Sequence, residues 1–413
     1  MQYYLIGIKG TGMSALANIL VDLGHEVIGV DYNKKYFTEA SFRESIKVES
    51  YDNYSLKKEY FYIVGNAFKL SNITKKIVEL NYQFQYYPQF LESFFKIKKI
   101  GITGSHGKTT TTFFASQLID KPINALIGDG TGFGNKEAEY FVFEACEYQN
   151  HFLNYTYDIL VILNIDYDHP DYFKNANEYL YAFQKAALNS SILLVNNDDN
   201  NCKKVVHKNK ISFGFSPHSD IVLKIYENNL SITFDGEEHV LPFNFHGKHM
   251  AYNLAAAFIV SFLAKCDANK TIKKVKDLKL PLRRFTEYSV KSDLILINDY
   301  AHHPTEIKAF ILAVRNKYPN YKLIIIYQGH TFSRTNAFLE KYVSVLQLAD
   351  EVFIMPIFSS VREEEHDEWL LFNQCSKFKR YSRCVKEQLL NQSNSIIAFL
   401  GAGDIDNEFI FFK

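Results

Sequence analysis

A chain of 413 residues is too long for one hydrophobic core, so two or three domains are expected. Lys and Arg total 46 and Asp and Glu total 46, which leaves no net field to favour nucleic acid or a membrane surface. Hydrophobic residues at 47%, charged residues at 22% and no apolar run of membrane-spanning length suit a soluble globular protein without membrane insertion. Cys146, Cys202, Cys266, Cys375 and Cys384 are scattered and lack Cys-x-x-Cys spacing, which argues for reduced thiols rather than disulfides or a zinc site. Met1-Gln-Tyr-Tyr-Leu-Ile-Gly7 enters a strand without the charged start and apolar core of a signal peptide, so a cytoplasmic location is expected.

Residues 1–96 read as strand–helix units, with strands at Tyr3–Gly7, Glu26–Asp31, Tyr60–Gly65 and Gln83–Tyr87 and a helix at Met13–Leu23. The first strand runs into Gly7-Ile-Lys-Gly-Thr-Gly-Met-Ser14. Its glycines fall at 7, 10 and 12, whereas the dinucleotide fingerprint needs its second glycine two residues after the first. The turn still suits a diphosphate on Gly10, Thr11 and Gly12, with Asp31 where a ribose-binding acid would lie. A plain tight turn with a capping acid fits the same residues. Asn66 ends a later strand on the same rim.

Residues 97–281 open with the most informative segment of the chain, Gly101-Ile-Thr-Gly-Ser-His-Gly-Lys-Thr-Thr-Thr-Thr112, between a strand at Ile97–Ile102 and a helix at Thr109–Ile119. A glycine-rich strand-to-helix turn aims backbone N–H groups and the positive helix end at one spot, a site for phosphate. Gly104, Ser105, His106, Gly107, Lys108, Thr109 and Thr110 form it, with Lys108 as an exposed loop end on the terminal phosphates and Thr109 on Mg²⁺. Ile102 stands where the usual Walker spacing has glycine, so this is a narrower variant. ATP with Mg²⁺ is the expected ligand. Strands follow near Tyr140–Ala145, Ile159–Ile165, Ser191–Asn196 and Ile211–Phe215, then a meander from Ile221 to Phe245 and a helix at Met250–Ala264. One strand ends in Glu144-Ala-Cys-Glu147, and another in Asn164-Ile-Asp-Tyr-Asp-His169. Carboxyl ends of parallel strands converge on such a loop, so Glu144 and His169 are candidate metal ligands. Spacing alone leaves His169 open to being an ordinary core or surface histidine.

Leu280-Pro-Leu-Arg283 reads as a linker, and residues 282–413 form the last domain. Strands are expected at Leu294–Asp299, Lys322–Gln328, Glu351–Pro356 and Ser395–Gly401, with helices at Pro304–Lys317 and Asn336–Leu348. Its distinctive segments are Arg283-Arg284-Phe285, Asn298-Asp-Tyr-Ala-His-His-Pro-Thr-Glu306, Gln328-Gly-His-Thr-Phe-Ser-Arg-Thr335 and Gly401-Ala-Gly-Asp-Ile405. Pro304 and Glu306 suit the first turn of a helix. Strand–helix alternation throughout implies largely parallel sheets covered by helices.

Taken in order, these segments resemble the Mur ligases, the ATP-dependent amide-forming enzymes of peptidoglycan assembly. Thr103-Gly-Ser-His-Gly-Lys-Thr109 is similar to their nucleotide loop. The Glu144 and His169 segments and Asp299-Tyr-Ala-His-His-Pro304 are similar to the alanine-adding branch, and the likeness spans residues 1–405 in family order. It implies an α/β fold of three domains: a Rossmann-like domain at 1–96 for the UDP-sugar, a P-loop ATPase-like domain at 97–281 for ATP, and a Rossmann-like domain at 282–413 for the amino acid. By the same resemblance Glu144 and His169 contact magnesium, Asn253 meets adenine and Arg284 approaches the γ-phosphate. Asp299 would hold the ATP ribose, Tyr300 would lie near the adenine, His302 would face the amino acid and Arg334 would grip its carboxylate. Met250 and Thr331 depart from the family pattern, and the tail after Ile405 is short.

The implied substrates are UDP-N-acetylmuramate and L-alanine. ATP would turn the lactyl carboxylate into an acyl phosphate, and the alanine amine would displace phosphate through a tetrahedral intermediate. Domain closure would exclude water from the acyl phosphate. The protein would be a monomer or homodimer. Two alternatives share the motifs: a ligase that attaches a whole peptide to UDP-muramate, and a regulator that binds ATP and UDP-sugar without turnover.

Overall fold

The computed structural model describes residues 1–34, 36–358 and 367–413. Three sheets carry the chain. The first has five parallel strands in the order Lys47–Ser50, Glu26–Asp31, Gln2–Ile6, Phe61–Val64, Phe84–Tyr86. From the central strand Gln2–Ile6 the connections run to opposite sides, so a crevice opens at the carboxyl ends of Gln2–Ile6 and Phe61–Val64, the usual ligand position in such sheets. Tyr4, Tyr62, Ile6 and Val64 fill the core on one face.

The second sheet has ten strands. Seven are parallel neighbours: Ile221–Tyr226, Lys210–Gly214, Ser190–Asn196, Tyr157–Ile162, Lys98–Thr103, Tyr140–Glu144 and Ile123–Leu126. The expected meander is present as Ile221–Tyr226, Asn229–Phe234 and Glu237–Pro242, paired antiparallel at one edge. Lys98–Thr103 lies inside the sheet and feeds the helix Lys108–Leu118, which places the phosphate loop at the carboxyl edge.

The third sheet has six strands. Leu294–Asp299, Ser395–Leu400, Lys322–His330 and Glu351–Phe358 run parallel, and Thr286–Lys291 is an antiparallel edge. Ile295, Ile297, Leu323 and Ile325 pack on one face while Leu294, Leu296, Ile324 and Ile326 pack on the other. Burial on both faces explains their unbroken apolar sequence. The edge strand Thr286–Lys291 is not among the strands expected from sequence: all six of its residues are exposed, and its alternation rests on Tyr288 and Val290 alone. The helix expected at Asn336–Leu348 is two helices, Phe332–Ala337 and Leu339–Leu346, broken at Phe338.

The chain packs as two compact units. One holds Met1–Asp166, Ala176–Phe243 and Tyr252–Lys279; the other holds Tyr167–Asn175, Asn244–Ala251 and Leu280–Lys413. Among the described residues, no helix is long and apolar enough to cross a membrane.

Candidate active site

In the first unit the phosphate loop is stitched to the segment 164–166. The His106 N–H donates to Asn164 Oδ1 at 2.8 Å, and Asn164 Nδ2 returns a bond to the His106 carbonyl at 3.0 Å. Ser105 Oγ donates to the Asp166 carbonyl at 2.6 Å, and His106 Nε2 lies 3.0 Å from Asp166 Oδ2. Gly107 has φ of 82°, a left-handed conformation that glycine adopts freely, and a Cβ there would collide with Asn253. Asn253 is therefore packed on the loop. Thr110 is buried in the first helical turn.

Lys108 is not the exposed loop end expected from sequence. Its side chain is 13% exposed, and Nζ donates to the carbonyls of Gly104 at 2.6 Å and Ser105 at 3.1 Å. It pairs with Glu147, itself buried, at 3.0 Å. Burial pulls the lysine pKa down, but Glu147 and Glu144 outweigh it and hold it above the ordinary value. Tyr179 Oη joins the network, 2.9 Å from Ser105 Oγ and 3.4 Å from Glu147 Oε1.

Thr109 Oγ1 donates to Glu144 Oε2 at 2.7 Å. A Cβ on Gly128 would overlap Glu144 Oε2 and lie 2.8 Å from Thr109 Oγ1, so bare backbone makes a cradle around these two oxygens. A hydroxyl and a carboxylate beside a phosphate loop fit Mg²⁺, which takes oxygen ligands and shares them with phosphate and water. His169 sits in the second unit, at φ of 55°, with Nδ1 3.3 Å from Arg334 Nη2.

The N-terminal loop has Gly10 as the N-cap of the helix Thr11–Asp22, with no side-chain cap. Asp31 is buried and anchors this loop: its oxygens accept from the N–H groups of Lys9 and Tyr32, each at 2.8 Å. That is the capping role left open beside the ribose reading. Asn66 Nδ2 lies 3.1 Å from His151 Nδ1.

In the second unit the Tyr300 ring lies 5.1 Å from the guanidinium carbons of both Arg283 and Arg284. Arg283 is the buried one and donates to the Gly401 carbonyl at 2.8 Å; Arg284 is half-buried. Asp299 accepts from the N–H groups of Phe285 and Ala301, each at 2.8 Å, and burial raises its pKa against the pull of Arg284 and those N–H groups. His302 Nδ1 lies 3.1 Å from the Tyr300 carbonyl and 3.2 Å from Glu306 Oε2.

Arg334 differs most from expectation. It is 5% exposed, and its two-point edge, expected to face an amino-acid carboxylate, is taken by Asp168, with Nε to Oδ1 at 2.7 Å and Nη2 to Oδ2 at 3.2 Å. Nη1 lies 3.3 Å from His330 Nδ1. Burial, then Arg334, His302 and His169, hold His330 well below its ordinary pKa. The helix carrying Arg334 starts after Thr331, whose φ of 68° is strained for a β-branched residue. Asp168, Glu147 and Gly128 are the residues that sequence reasoning gave no role. The only signals were the aspartate before His169, the second carboxylate of Glu144-Ala-Cys-Glu147 and a Gly-Asp-Gly between two strands.

Three family models match the chain: "Mur ligase family, catalytic domain" over residues 2–99, "Mur ligase middle domain" over 102–261 and "Mur ligase, glutamate ligase domain" over 283–403. Among solved structures, the UDP-N-acetylmuramate-alanine ligase MurC from Thermotoga maritima is similar at TM-score 0.82 and 21% identity, covering 100% of this chain and 98% of that one. A murein peptide ligase from Psychrobacter arcticus gives TM-score 0.73 and 17% identity, covering 100% and 98%. The MurF ligase from Thermotoga maritima in complex with ADP gives TM-score 0.63 and 17% identity, covering 93% of each chain. The three-domain α/β architecture expected from sequence is shared with them, and the chain belongs to the Mur ligase family.

Proposed function

We propose that this ligase joins L-alanine to the lactyl carboxylate of UDP-N-acetylmuramate, consuming ATP and releasing ADP and phosphate, in the cytoplasm. One observation carries the reaction class: Lys108, Thr109 and Glu144 meet at the mouth of a strand–loop–helix turn, as phosphoryl transfer to an acid requires. The choice of alanine rests on Asp299-Tyr-Ala-His-His-Pro304 and on the full-length likeness to an alanine-adding ligase.

A carboxylate cannot accept an amine directly, because oxide is too poor a leaving group. Its oxygen attacks the γ-phosphorus and ADP departs; the amine then attacks the acyl carbon, the amide C–N bond forms, and inorganic phosphate leaves. Lys108 binds the terminal phosphates, and Arg284 stabilises charge on the transferring group. Thr109 and Glu144, with His169, would hold Mg²⁺, which supplies charge neutralisation at the phosphates. His302 Nδ1 donates to the Tyr300 carbonyl, which leaves Nε2 to take the proton lost by the attacking amine. Residues 1–96 hold the UDP-sugar through Gly10, Thr11, Gly12, Asp31 and Asn66; 97–281 hold ATP; 282–413 hold the amino acid and part of the ATP through Asp299 and Tyr300. Mass analysis of the product tests this reading. UDP-N-acetylmuramoyl-alanine is expected; a product formed only with an L-alanyl tripeptide would replace it with the peptide-adding reading.

A further inference from the structure

The first sheet brings two polar side chains to its carboxyl edge. Val64 and Tyr86 are register partners in adjacent strands, so Asn66 and Tyr87 leave the sheet at neighbouring points. Asn66 Oδ1 is buried and accepts no hydrogen bond among the described residues. The Tyr87 hydroxyl likewise makes none among them, and it sits where a Cβ on Gly12 would be 2.5 Å away. Burial, then the nearby Cys146 and Glu144, push the Tyr87 pKa up, so the phenol is a proton donor at neutral pH.

Tyr87 therefore lies between the Gly10–Gly12 turn and Glu144, the carboxylate hydrogen-bonded to Thr109 of the phosphate loop. An acid tethered to a diphosphate on that turn has to cross this interval to reach a phosphoryl group at Lys108. With no acceptor among the described residues, the hydroxyl of this half-buried tyrosine is available to donate to a ligand. We infer that the Tyr87 hydroxyl is a substrate-positioning group that hydrogen-bonds the lactyl carboxylate of the UDP-sugar and directs it toward the phosphate loop. The inference rests on the proposed function, since it takes UDP-N-acetylmuramate as the ligand.

The test compares UDP-N-acetylmuramate with UDP-N-acetylglucosamine, which lacks the lactyl group, by calorimetry on wild type and Tyr87→Phe. Phenylalanine keeps the ring, and ATP affinity on the same sample checks that the site is intact. Loss of one hydrogen bond to a charged group should weaken UDP-N-acetylmuramate about 10- to 100-fold. UDP-N-acetylglucosamine and ATP should keep their affinities, and kcat with saturating sugar should fall because the carboxylate is no longer aimed. Equal losses for both sugars, or no loss for either, would overturn the inference while leaving the ligase reading intact. A wild-type protein that binds neither sugar would overturn both.

Discussion

Asp168 and Arg334 form a two-point ion pair, 2.7 Å and 3.2 Å long, in which both side chains are almost fully shielded from water. Their separation in sequence is 166 residues. Asp168 thus fixes the plane of the Arg334 guanidinium.

Asp168→Asn should therefore lower stability by about 3–5 kcal/mol, because it leaves a guanidinium buried without its counter-charge. The pH dependence has a defined sign. Despite burial, Arg334, His169 and His303 hold the Asp168 pKa well below its ordinary value. A depressed carboxylate contributes fully above its unfolded pKa of about 3.9 and loses that contribution as pH falls through the folded value. Urea titrations of wild type between pH 7 and pH 2.5 should show a steep acid limb that is shallower in Asp168→Asn. Parallel limbs would mean the pair contributes nothing to acid stability.

Lys108→Ala should abolish turnover, and it should also destabilise the protein, since Glu147 would be left buried without the lysine's counter-charge. A cost of about 3–5 kcal/mol is expected for breaking such a pair. The double variant Lys108→Met with Glu147→Gln should recover most of that stability and none of the activity. If Lys108→Ala alone were as stable as wild type, the buried pair would be misassigned.

Gly128→Ala should raise the Mg²⁺ concentration needed for half-maximal activity, because its methyl would overlap Glu144 and crowd Thr109 Oγ1 at 2.8 Å. Magnesium titration of the steady-state rate reads this directly. An unchanged requirement would take the Thr109–Glu144 pair out of metal binding.

The amino-acid pocket should prefer L-alanine over glycine by about 10- to 200-fold in kcat/KM, the range that one methyl group supplies. Serine should react slowly, and leucine should be excluded by overlap. Arg334→Lys should impair alanine use strongly, because an ammonium cannot reproduce the planar grip on Asp168. Steady-state kinetics with the four amino acids decide it; leucine matching alanine would place the pocket elsewhere.

Much of this architecture is legible in the sequence because buried parallel strands write themselves as apolar runs. Glu26–Asp31, Leu294–Asp299 and the helix Pro304–Lys317 fall where the pattern puts them. Exposed edges write a weaker pattern: in Thr286–Lys291 only Tyr288 and Val290 mark a short alternation, and both are exposed. Site chemistry is legible where one segment holds it, as with Thr109 beside Lys108. It is hidden where the partner is distant: Glu147 lies 39 residues from Lys108, and Asp168 lies far from Arg334. Such pairs depend on which strand ends the topology brings together, and local spacing carries no record of that.

The most direct test of the central claim is ADP release measured with each substrate omitted in turn. The proposed reaction predicts rapid ADP release only when ATP, Mg²⁺, UDP-N-acetylmuramate and L-alanine are all present, with one ADP formed per amide bond. ADP release at the same rate without L-alanine or without UDP-N-acetylmuramate, or no release with the full set, would contradict it.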